Sequence, residues 1–464
     1  MGLIKKNKFP GVIPILILVN VFTATGAFIL ASNINFPDSK GFWLMSEGIN
    51  YGRFSSWYFL DTYYPETLRT PGYQLLLTFL RFFYDSQLFI KITQLAAYFT
   101  SLFLCYQIVN HFSNNNKKAT VVYLSLTAIN IQIPYYSGYI TADIWCILFT
   151  SAFVHILLLK PKTTSFAILL GVIAGLNFLM RPAFLLFPFV LTIWYLVKNK
   201  GQFKYNLIHL FIFCITLLPF TYWNYKNHHS ITPTPIEGGA GVSHIGYWSY
   251  RLPKGYQEKY YWGNVIPDDL TNPFKFTDEE YLKNKVEFEK EWEEIIAETN
   301  PLNKEIDLKN IEYMSGHNPG IFKLYNSEYT IAREKLLKKK IKEHIISDPV
   351  FYIKTRMYSF FRLYFTGINK VDLERSLTVT SKIKTLYPFL ITFSCICIGF
   401  FLSTFLIIKN KILRNSEIGL IILLCLYQGA VHAFFTVQGR YLVPVHLLIL
   451  ILLTISVTKK ETVN

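Results

Sequence analysis

Charged residues recur at the edges of the apolar runs, where exposure of a charge to lipid would be costly. Asp38 opens the polar stretch after the first apolar run, and Arg69 closes that stretch just before Pro71-Gly72. A carboxylate can orient or deprotonate a hydroxyl or amine nucleophile, and a guanidinium offers two parallel donors to a phosphate. An acid and a cation at opposite ends of one such segment predict chemistry on a phosphate-bearing lipid.

Three further charged residues are predicted to lie at the same membrane face. Asp143 begins one apolar run, Arg181 ends another, and Arg440 precedes the last run. Each has a simpler explanation when taken alone. Asp38 and Asp143 could cap helix N-termini, and the arginines could extend to lipid headgroups. Taken together, two aspartates and three arginines predict a single outward-open pocket for a phosphate-bearing substrate.

Histidine and cysteine are weaker candidates for chemistry. His432 and His446 flank the last arginine, where a catalytic role competes with simple packing. His228, His229 and His244 lie in a polar segment without metal-binding spacing, and the six cysteines all fall in apolar runs without a CxxC pair. A divalent metal is therefore possible but not indicated, and no cofactor is predicted. No convincing nucleotide-binding loop occurs, so an activated donor is expected to arrive within the membrane.

The composition is that of a membrane protein. Of 464 residues, 52% are hydrophobic and only 16% are charged, with a mean hydropathy of +0.28, whereas a soluble domain carries about 25% charged residues. Several apolar runs reach the ~17–25 residues that cross a bilayer as a helix. The first run, 10–30, is longer than the ~7–15 residues of a signal-peptide core, so it is expected to remain as a helix. The fold class predicted is an all-α polytopic membrane protein.

The net charge of +16 does not indicate nucleic-acid binding. Residues 224–383 carry 23 basic and 22 acidic residues, which leaves 23 of the 46 basic and 8 of the 30 acidic residues elsewhere. Most of the remaining bases lie in short loops after every second apolar run, as the positive-inside rule expects of cytoplasmic loops. The pattern predicts a multi-pass protein of the plasma (inner) membrane with cytoplasmic N- and C-termini, surrounded by membrane lipids.

About ten transmembrane helices are predicted in two modules. Residues 1–223 form an N-terminal catalytic module of about seven spans, with a first outer loop at 31–70; residues 384–464 form a C-terminal module of about three. Residues 224–383 form an extracytoplasmic domain. The predicted spans cover approximately 10–30, 87–110, 119–133, 143–159, 164–180, 183–197, 205–223, 385–408, 417–435 and 441–457.

Interfacial helices are expected in the first outer loop and next to it, including Pro71–Tyr84. The extracytoplasmic domain is predicted to be mainly helical, with charge patterns that indicate helices over 277–298 and 327–347. A third helix over 350–365, in which Arg356 is interleaved with aromatic residues, suits a position on the lipid headgroups. The glycine-rich residues 238–241 predict a flexible stretch beside the membrane.

The order of these motifs resembles the GT-C membrane glycosyltransferases that use polyprenyl-phosphate sugars, such as protein O-mannosyltransferases and lipid A aminoarabinose transferases. The resemblance covers most of the chain. Asp38-Ser39 resembles the catalytic acid of the first loop in that family, although the family's protein mannosyltransferases carry a second acid where this chain has Ser39. The other matching elements are Arg69-Thr70-Pro71-Gly72-Tyr73, Thr141-Ala142-Asp143, Arg181-Pro182, Trp223-Asn224-Tyr225 and Gln438-Gly439-Arg440-Tyr441-Leu442-Val443-Pro444.

The resemblance implies inverting transfer of a single hexosyl or pentosyl unit from a polyprenyl-phosphate donor to a lipid, glycan or protein acceptor on the extracytoplasmic face. Two alternatives remain open. One is a polysaccharide polymerase or ligase, and the other is a lipid-linked sugar transporter without chemistry. The residues implied are Asp38 and Asp143 for catalysis and Arg69, Tyr73, Arg181 and Arg440 for the donor phosphate.

Overall fold

The computed structural model describes residues 11–33, 37–198, 203–237, 239–252, 274–299, 327–365, 387, 390–409, 416–434 and 439–458. Within these ranges the chain forms α-helices, short 3-10 turns and one π-helical segment, and it contains no strand. The helices are α1 Val12–Ser32, α2 Pro37–Asn50, α3 Gly72–Phe83, α4 Gln87–Ser113, α5 Lys117–Ile129, α6 Gln132–Tyr135, α7 Asp143–Leu159, α8 Thr164–Met180, α9 Phe187–Lys198, α10 Phe203–His228, α11 Gly239–Trp248, α12 Asp278–Thr299, α13 Ser327–Ser347, α14 Pro349–Phe365, α15 Gly399–Lys409, α16 Ser416–Ala433 and α17 Val443–Thr458.

Four described helices are long and apolar enough to cross a membrane: α1, α4, α10 and the last helix counted from Arg440 to Thr458. Five shorter apolar helices cover 143–159, 164–180, 182–197, 393–409 and 417–433. The protein is therefore a helical membrane protein, and the part of the chain within the ranges given above is all-helical. These lengths do not establish ten spans. The predicted span over 119–133 is the 13-residue α5, which is about 20 Å long at 1.5 Å per residue.

The last helix lies at the centre of the bundle. Every residue from 443 to 452 is buried, and α17 packs against α4, α5, α7 and α15. A helix that is apolar on all sides is stable only when other helices or lipid surround it. The burial of α17 fixes the position of the turn before it, which carries Arg440.

Close packing of α8 on α10 depends on two glycines. A Cβ atom at Gly171 would lie 2.7 Å from the carbonyl oxygen of His209, and one at Gly175 would lie 2.5 Å from Cγ2 of Thr216. Small residues four apart let the backbones of membrane helices approach closely. The contact sets the position of the end of α8, where Arg181 follows.

Helices α11 to α14 form a second group, here called the polar domain, in which α14 also packs against α16 of the bundle. Its core is aromatic and includes Tyr247, Trp248 and Phe288. The prediction of a flexible stretch at 238–241 is wrong for residues 239–241, which begin α11. The carboxylate of Glu334 accepts hydrogen bonds from the backbone N–H groups of Ala240 (2.9 Å) and Gly241 (3.3 Å). This long-range cap satisfies N–H groups that have no partner inside the helix.

Helix α14 forms nearly as predicted but packs differently from the prediction. The expected exposure of Arg356 to lipid headgroups is wrong, because its side chain is 6% exposed. Its guanidinium donates to the carbonyl oxygens of Gly246 (2.7 Å) and Ala433 (3.2 Å). Arg356 therefore joins the polar domain to α16.

The two ends of the bundle carry different charges. At one end, Nε2 of His111 lies 3.6 Å from Oε2 of Glu417, and Lys162 interacts electrostatically with the same carboxylate. Helix α7 runs from Asp143 to Leu159 with Lys160 directly after it, so Asp143 lies at the opposite end. The lysine-rich turns and the candidate site residues are separated by the length of the helices.

Candidate active site

Asp38 lies between two arginines from distant parts of the chain. It is in the first turn of α2, and its Oδ1 is 3.3 Å from Nη2 of Arg69. Its Oδ2 is 2.9 Å from Nη2 of Arg440. All three side chains are partly buried, with 17–23% exposure. The structure thus brings together three of the residues singled out in the sequence, and each carboxylate oxygen has its own guanidinium.

The two arginines determine the protonation state of Asp38. Burial alone would raise the pKa of this carboxyl, but the charges and hydrogen bonds of Arg440 and Arg69 outweigh burial and lower the pKa below its ordinary value. Asp38 is therefore ionised at neutral pH and held in an ion pair. In this state it is a weak base.

A second ion pair joins Asp143 to Arg181, with 2.5 Å between Oδ1 and Nη2. Asp143 is 1% exposed. The alternative that Asp143 caps its helix is wrong, because Ala142 is the N-cap and makes no side-chain bond there. Oδ2 of Asp143 and Nη1 of Arg181 are both buried without a hydrogen-bond partner among the described residues. This pair therefore contains one acceptor and one donor that the described residues do not satisfy.

The ring of Tyr441 connects the two ion pairs. It lies 5.5 Å from Cζ of Arg181 and 6.0 Å from Cζ of Arg440. His432 stacks on the same ring at 4.5 Å, and Gln428 donates to the carbonyl oxygen of Tyr441 at 3.0 Å. The two pairs thus form one group, which we call the charged cluster: Asp38, Arg69, Asp143, Arg181 and Arg440.

The charged cluster has a surplus of positive charge. Its three guanidiniums face two carboxylates, which leaves one net positive charge when all five groups are ionised. Arginines of this kind bind phosphate oxygens through charge-assisted hydrogen bonds. The surplus matches the single negative charge of a phosphodiester.

Tyr73 positions the segment that carries Arg69. Its hydroxyl donates to Oε1 of Gln94 on α4 at 2.8 Å, and the amide of Gln94 donates to the carbonyl oxygens of Ser137 (3.0 Å) and Tyr139 (2.5 Å). The side chain of Tyr73 is 1% exposed. Its hydroxyl is therefore engaged with α4, and the predicted contact with a phosphate stays a prediction.

Gly72 explains why the Pro-Gly turn follows Arg69. A Cβ atom at this position would lie 2.5 Å from the carbonyl carbon of Leu179 and 2.6 Å from its oxygen. Only glycine lets the start of α3 dock on the last turn of α8. This contact brings Arg69 and Arg181, which follow different apolar runs, to the same end of the bundle.

The sequence did not indicate how the polar domain reaches the charged cluster. The hydroxyl of Thr67 donates to Oε2 of Glu237 at 3.1 Å, and the backbone N–H of Glu237 donates to the carbonyl oxygen of Thr67 at 2.7 Å. Glu237 also pairs with Arg333 of α13. These contacts lie two residues before Arg69. They could not be found from spacing, because the partners are more than 160 residues apart in sequence.

A small cavity lies next to the Asp143–Arg181 pair, toward the middle of the bundle. Its polar lining consists of Asn177 and Thr150, which share a hydrogen bond of 3.0 Å. The backbone N–H of Arg181 donates to the carbonyl oxygen of Asn177, so the cavity begins one helical turn from the ion pair. The other lining residues are apolar and come from α7, α8, α9 and α16 or from the turn before α9.

Residues able to bind a metal ion meet elsewhere. In the part of the chain that the structure describes, His244, Glu291 and His344 of the polar domain bring their side-chain ligand atoms together. The charged cluster, in contrast, offers two carboxylates that are each paired with arginine. Cationic side chains rather than metal ligands therefore dominate the charged cluster.

No family model matches the chain, and no curated protein matches it. Among solved structures, two crystal structures of ArnT from Cupriavidus metallidurans are similar to it, one bound to undecaprenyl phosphate and one in the apo state. Each comparison gives a TM-score of 0.38 at 10% sequence identity and covers 95% of this chain and 77% of the other. The charged cluster, rather than this likeness, is the basis of the function proposed next.

Proposed function

We propose that the protein is a membrane glycosyltransferase that moves a single sugar from a polyprenyl-phosphate donor to an acceptor on the extracytoplasmic face. The observation that carries the proposal is the position of Asp38 between Arg69 and Arg440, beside the Asp143–Arg181 pair. Transfer of a sugar from a phosphate requires cations for the leaving group and a carboxylate for the nucleophile. The charged cluster supplies both at one end of an apolar helical bundle.

The arginines stabilise the phosphate as the sugar leaves. The donor is a phosphodiester with one negative charge, and the released polyprenyl phosphate carries more. Arg69, Arg440 and Arg181 therefore attract the transition state more strongly than the bound donor, and this difference lowers the barrier. Because Asp143 holds Nη2 of Arg181, the unpaired Nη1 can donate to a phosphate oxygen.

Asp38 accepts the proton of the acceptor. A hydroxyl or amine of the acceptor forms a bond to the anomeric carbon while the carbon–oxygen bond to the phosphate breaks. The electron pair of the broken bond stays on the phosphate oxygen, and the proton of the nucleophile moves to Asp38. Attack from the face opposite the phosphate inverts the configuration of the anomeric carbon.

Donor binding would make Asp38 a better base. The pKa of Asp38 is low because Arg440 and Arg69 offset the effect of burial. A donor phosphate that draws these guanidiniums toward itself weakens their hold on Asp38, and its pKa rises. Asp38 would then accept a proton more readily when the donor is bound. This favours sugar transfer over proton exchange between Asp38 and water.

The test uses purified protein in lipid vesicles with polyprenyl-phosphate sugars labelled in the sugar. We expect the label to leave the lipid, by transfer to an acceptor in a cell-envelope extract or by slow hydrolysis, with the anomeric configuration inverted. Asp38→Asn protein in matched vesicles is the control for contaminating enzymes. Movement of intact donor between leaflets would contradict the proposal and indicate a transporter. Use of pyrophosphate-linked oligosaccharides alone would indicate a polymerase or ligase.

A further inference from the structure

Three helices of the polar domain bring potential metal ligands together. His244 lies on α11, Glu291 on α12 and His344 on α13, and all three are buried. One ligand atom from each lies within 4.8 Å of those from the other two. Nε2 of His344 is 2.8 Å from Oε2 of Glu291, and Nε2 of His244 contacts Oε1 of the same carboxylate. Each carboxylate oxygen therefore faces one imidazole nitrogen.

The contact between His344 and Glu291 is close but poorly aligned. Although the distance is 2.8 Å, Nε2 of His344 is a buried atom without a hydrogen-bond partner among the described residues. A cation bound by both atoms would satisfy this nitrogen and hold the carboxylate oxygen beside it.

Aromatic rings surround the three ligand atoms. His344 stacks on Tyr247 with 4.2 Å between ring centroids and meets Trp248 edge to face. A carboxylate among aromatic rings carries a charge that is costly to bury without a partner.

We propose that His244, Glu291 and His344 bind one divalent transition-metal ion of the Zn²⁺ class. Two imidazole nitrogens and a carboxylate oxygen form a donor set common for zinc, whereas Mg²⁺ and Ca²⁺ prefer oxygen ligands alone. Nε1 of Trp248 lies 3.4 Å from Oε1 of Glu291 and donates to it. Such outer contacts orient a metal-binding carboxylate.

The metal would join three helices in a domain that has no disulfide. Residues 224–383 contain no cysteine, so the polar domain cannot be cross-linked through sulfur. A metal ion bound by α11, α12 and α13 fixes their relative positions and adds its binding free energy to folding. Helix α11 begins two residues after Glu237, which contacts Thr67 next to the charged cluster. This inference rests on the polar domain alone and does not require the proposed enzymatic function.

The experiment measures zinc binding by the full-length protein in detergent, produced without a polyhistidine tag. After removal of loosely bound metal, we expect about one zinc ion per chain by mass spectrometry of the elements. Glu291→Gln and His344→Gln should each weaken Zn²⁺ binding at least tenfold. His229→Gln changes an exposed histidine directly after α10 and should retain full binding.

Two further measurements on the unchanged protein cover variants that fail to fold. A chelator should lower the Tm, Zn²⁺ should restore it, and Mg²⁺ should not. Replacement of zinc by Co²⁺ should give the visible absorption of a cobalt ion bound by nitrogen and oxygen. A protein that binds no Zn²⁺ and shows no change in Tm with chelator would overturn the proposal. Equal zinc content in His344→Gln and His229→Gln would do the same.

Discussion

Arg440 and Asp38 form an ion pair of 2.9 Å between Nη2 and Oδ2, which joins the turn before the last helix to the first turn of α2. Because α17 is buried at the centre of the bundle, the backbone that carries Arg440 is held firmly. Asp38 is held from the other side by Arg69, which precedes α3. The acid and its two cations therefore act as one unit, and substitution of one member changes the properties of the others.

Asp38→Asn should abolish sugar transfer without preventing membrane insertion. The amide has the size of the carboxylate but cannot accept the proton of the acceptor, so we expect the transfer rate to fall on the order of 10²–10⁴-fold. Donor binding should persist, because the amide competes less for Arg69 and Arg440. Transfer rate and donor KM are measured together.

A matched control for Asp38→Asn is Asp85→Asn. Asp85 is mostly exposed and pairs with Arg81 at 2.7 Å, away from the charged cluster. Its loss should leave transfer nearly unchanged, since the Arg81 guanidinium also donates to the carbonyl oxygen of Trp43 and to the hydroxyl of Ser46. Near-normal turnover by Asp38→Asn would remove Asp38 from the mechanism.

Arg69→Ala should mainly weaken use of the donor. Loss of a charge-assisted hydrogen bond costs about 1.5–3 kcal/mol, which corresponds to a rise of roughly 10- to 100-fold in donor KM. Arg69→Lys keeps the charge but not the paired donors, so an intermediate value is expected. Lys40→Ala, on the same helix as Asp38, is the control. If Arg69→Ala and the unchanged protein have the same donor KM, Arg69 does not bind the donor phosphate.

The pH profile should reflect the lowered pKa of Asp38. Burial alone would raise the pKa of Asp38, but the opposite effect of Arg440 and Arg69 is larger and holds the pKa below its ordinary value. A carboxylate with a lowered pKa is ionised at every pH above its ordinary pKa. It becomes protonated, and stops acting as a base, only when the pH falls through the lowered pKa. The kcat/KM profile, which reports the free enzyme, should therefore show no acid limb from Asp38 between about pH 5 and 8.

Arg440→Gln tests the cause of the lowered pKa. Without this charge the effect of burial dominates, and the acid limb of kcat/KM should move to higher pH. An unchanged limb in Arg440→Gln, or a limb near pH 6 in the unchanged protein, would be inconsistent with control of Asp38 by the two arginines.

Asp143→Asn should destabilise the protein, because it leaves Arg181 buried without its counterion. Breaking a buried pair in this way costs about 3–5 kcal/mol, and thermal unfolding in detergent should show a clear fall in Tm. The double variant Asp143→Asn/Arg181→Gln should be less destabilised than the two single variants predict together. If the losses of stability in the two single variants add up to the loss in the double variant, the 2.5 Å contact contributes no coupling free energy.

Gly72→Ala should reduce transfer by displacing α3. The added Cβ would lie 2.5 Å from the carbonyl carbon of Leu179, which forces the start of α3 and the nearby Arg69 away from α8. We expect at least a tenfold loss of transfer. Gly26→Ala is the matched control, since a Cβ there meets nothing within 4 Å. Equal activity of the two variants would show that the close approach at Gly72 is not needed.

Local features of the sequence were sufficient for most helices. The predicted helix over 327–347 has the same bounds in the structure, and those over 277–298 and 350–365 differ by one residue at their ends. Apolar length, charge in the first turn and helix-breaking residues act within a few positions of one another, so sequence reading can find them. The failure at 239–241 has the opposite cause, because α11 depends on a cap from Glu334, about 94 residues away.

The sequence by itself determined which residues could do chemistry and toward which end of the helices they lie, because hydropathy and charge at span edges are local properties. The tertiary structure decided which of them meet. In the folded chain, Asp38 pairs with Arg440 as well as with Arg69. The hydroxyl of Tyr73 donates a hydrogen bond to Gln94. His244 lies beside Glu291 and His344. These contacts join residues that are far apart in the chain. They form because whole helices pack together, and the spacing of residues along the sequence does not show which helices will be neighbours.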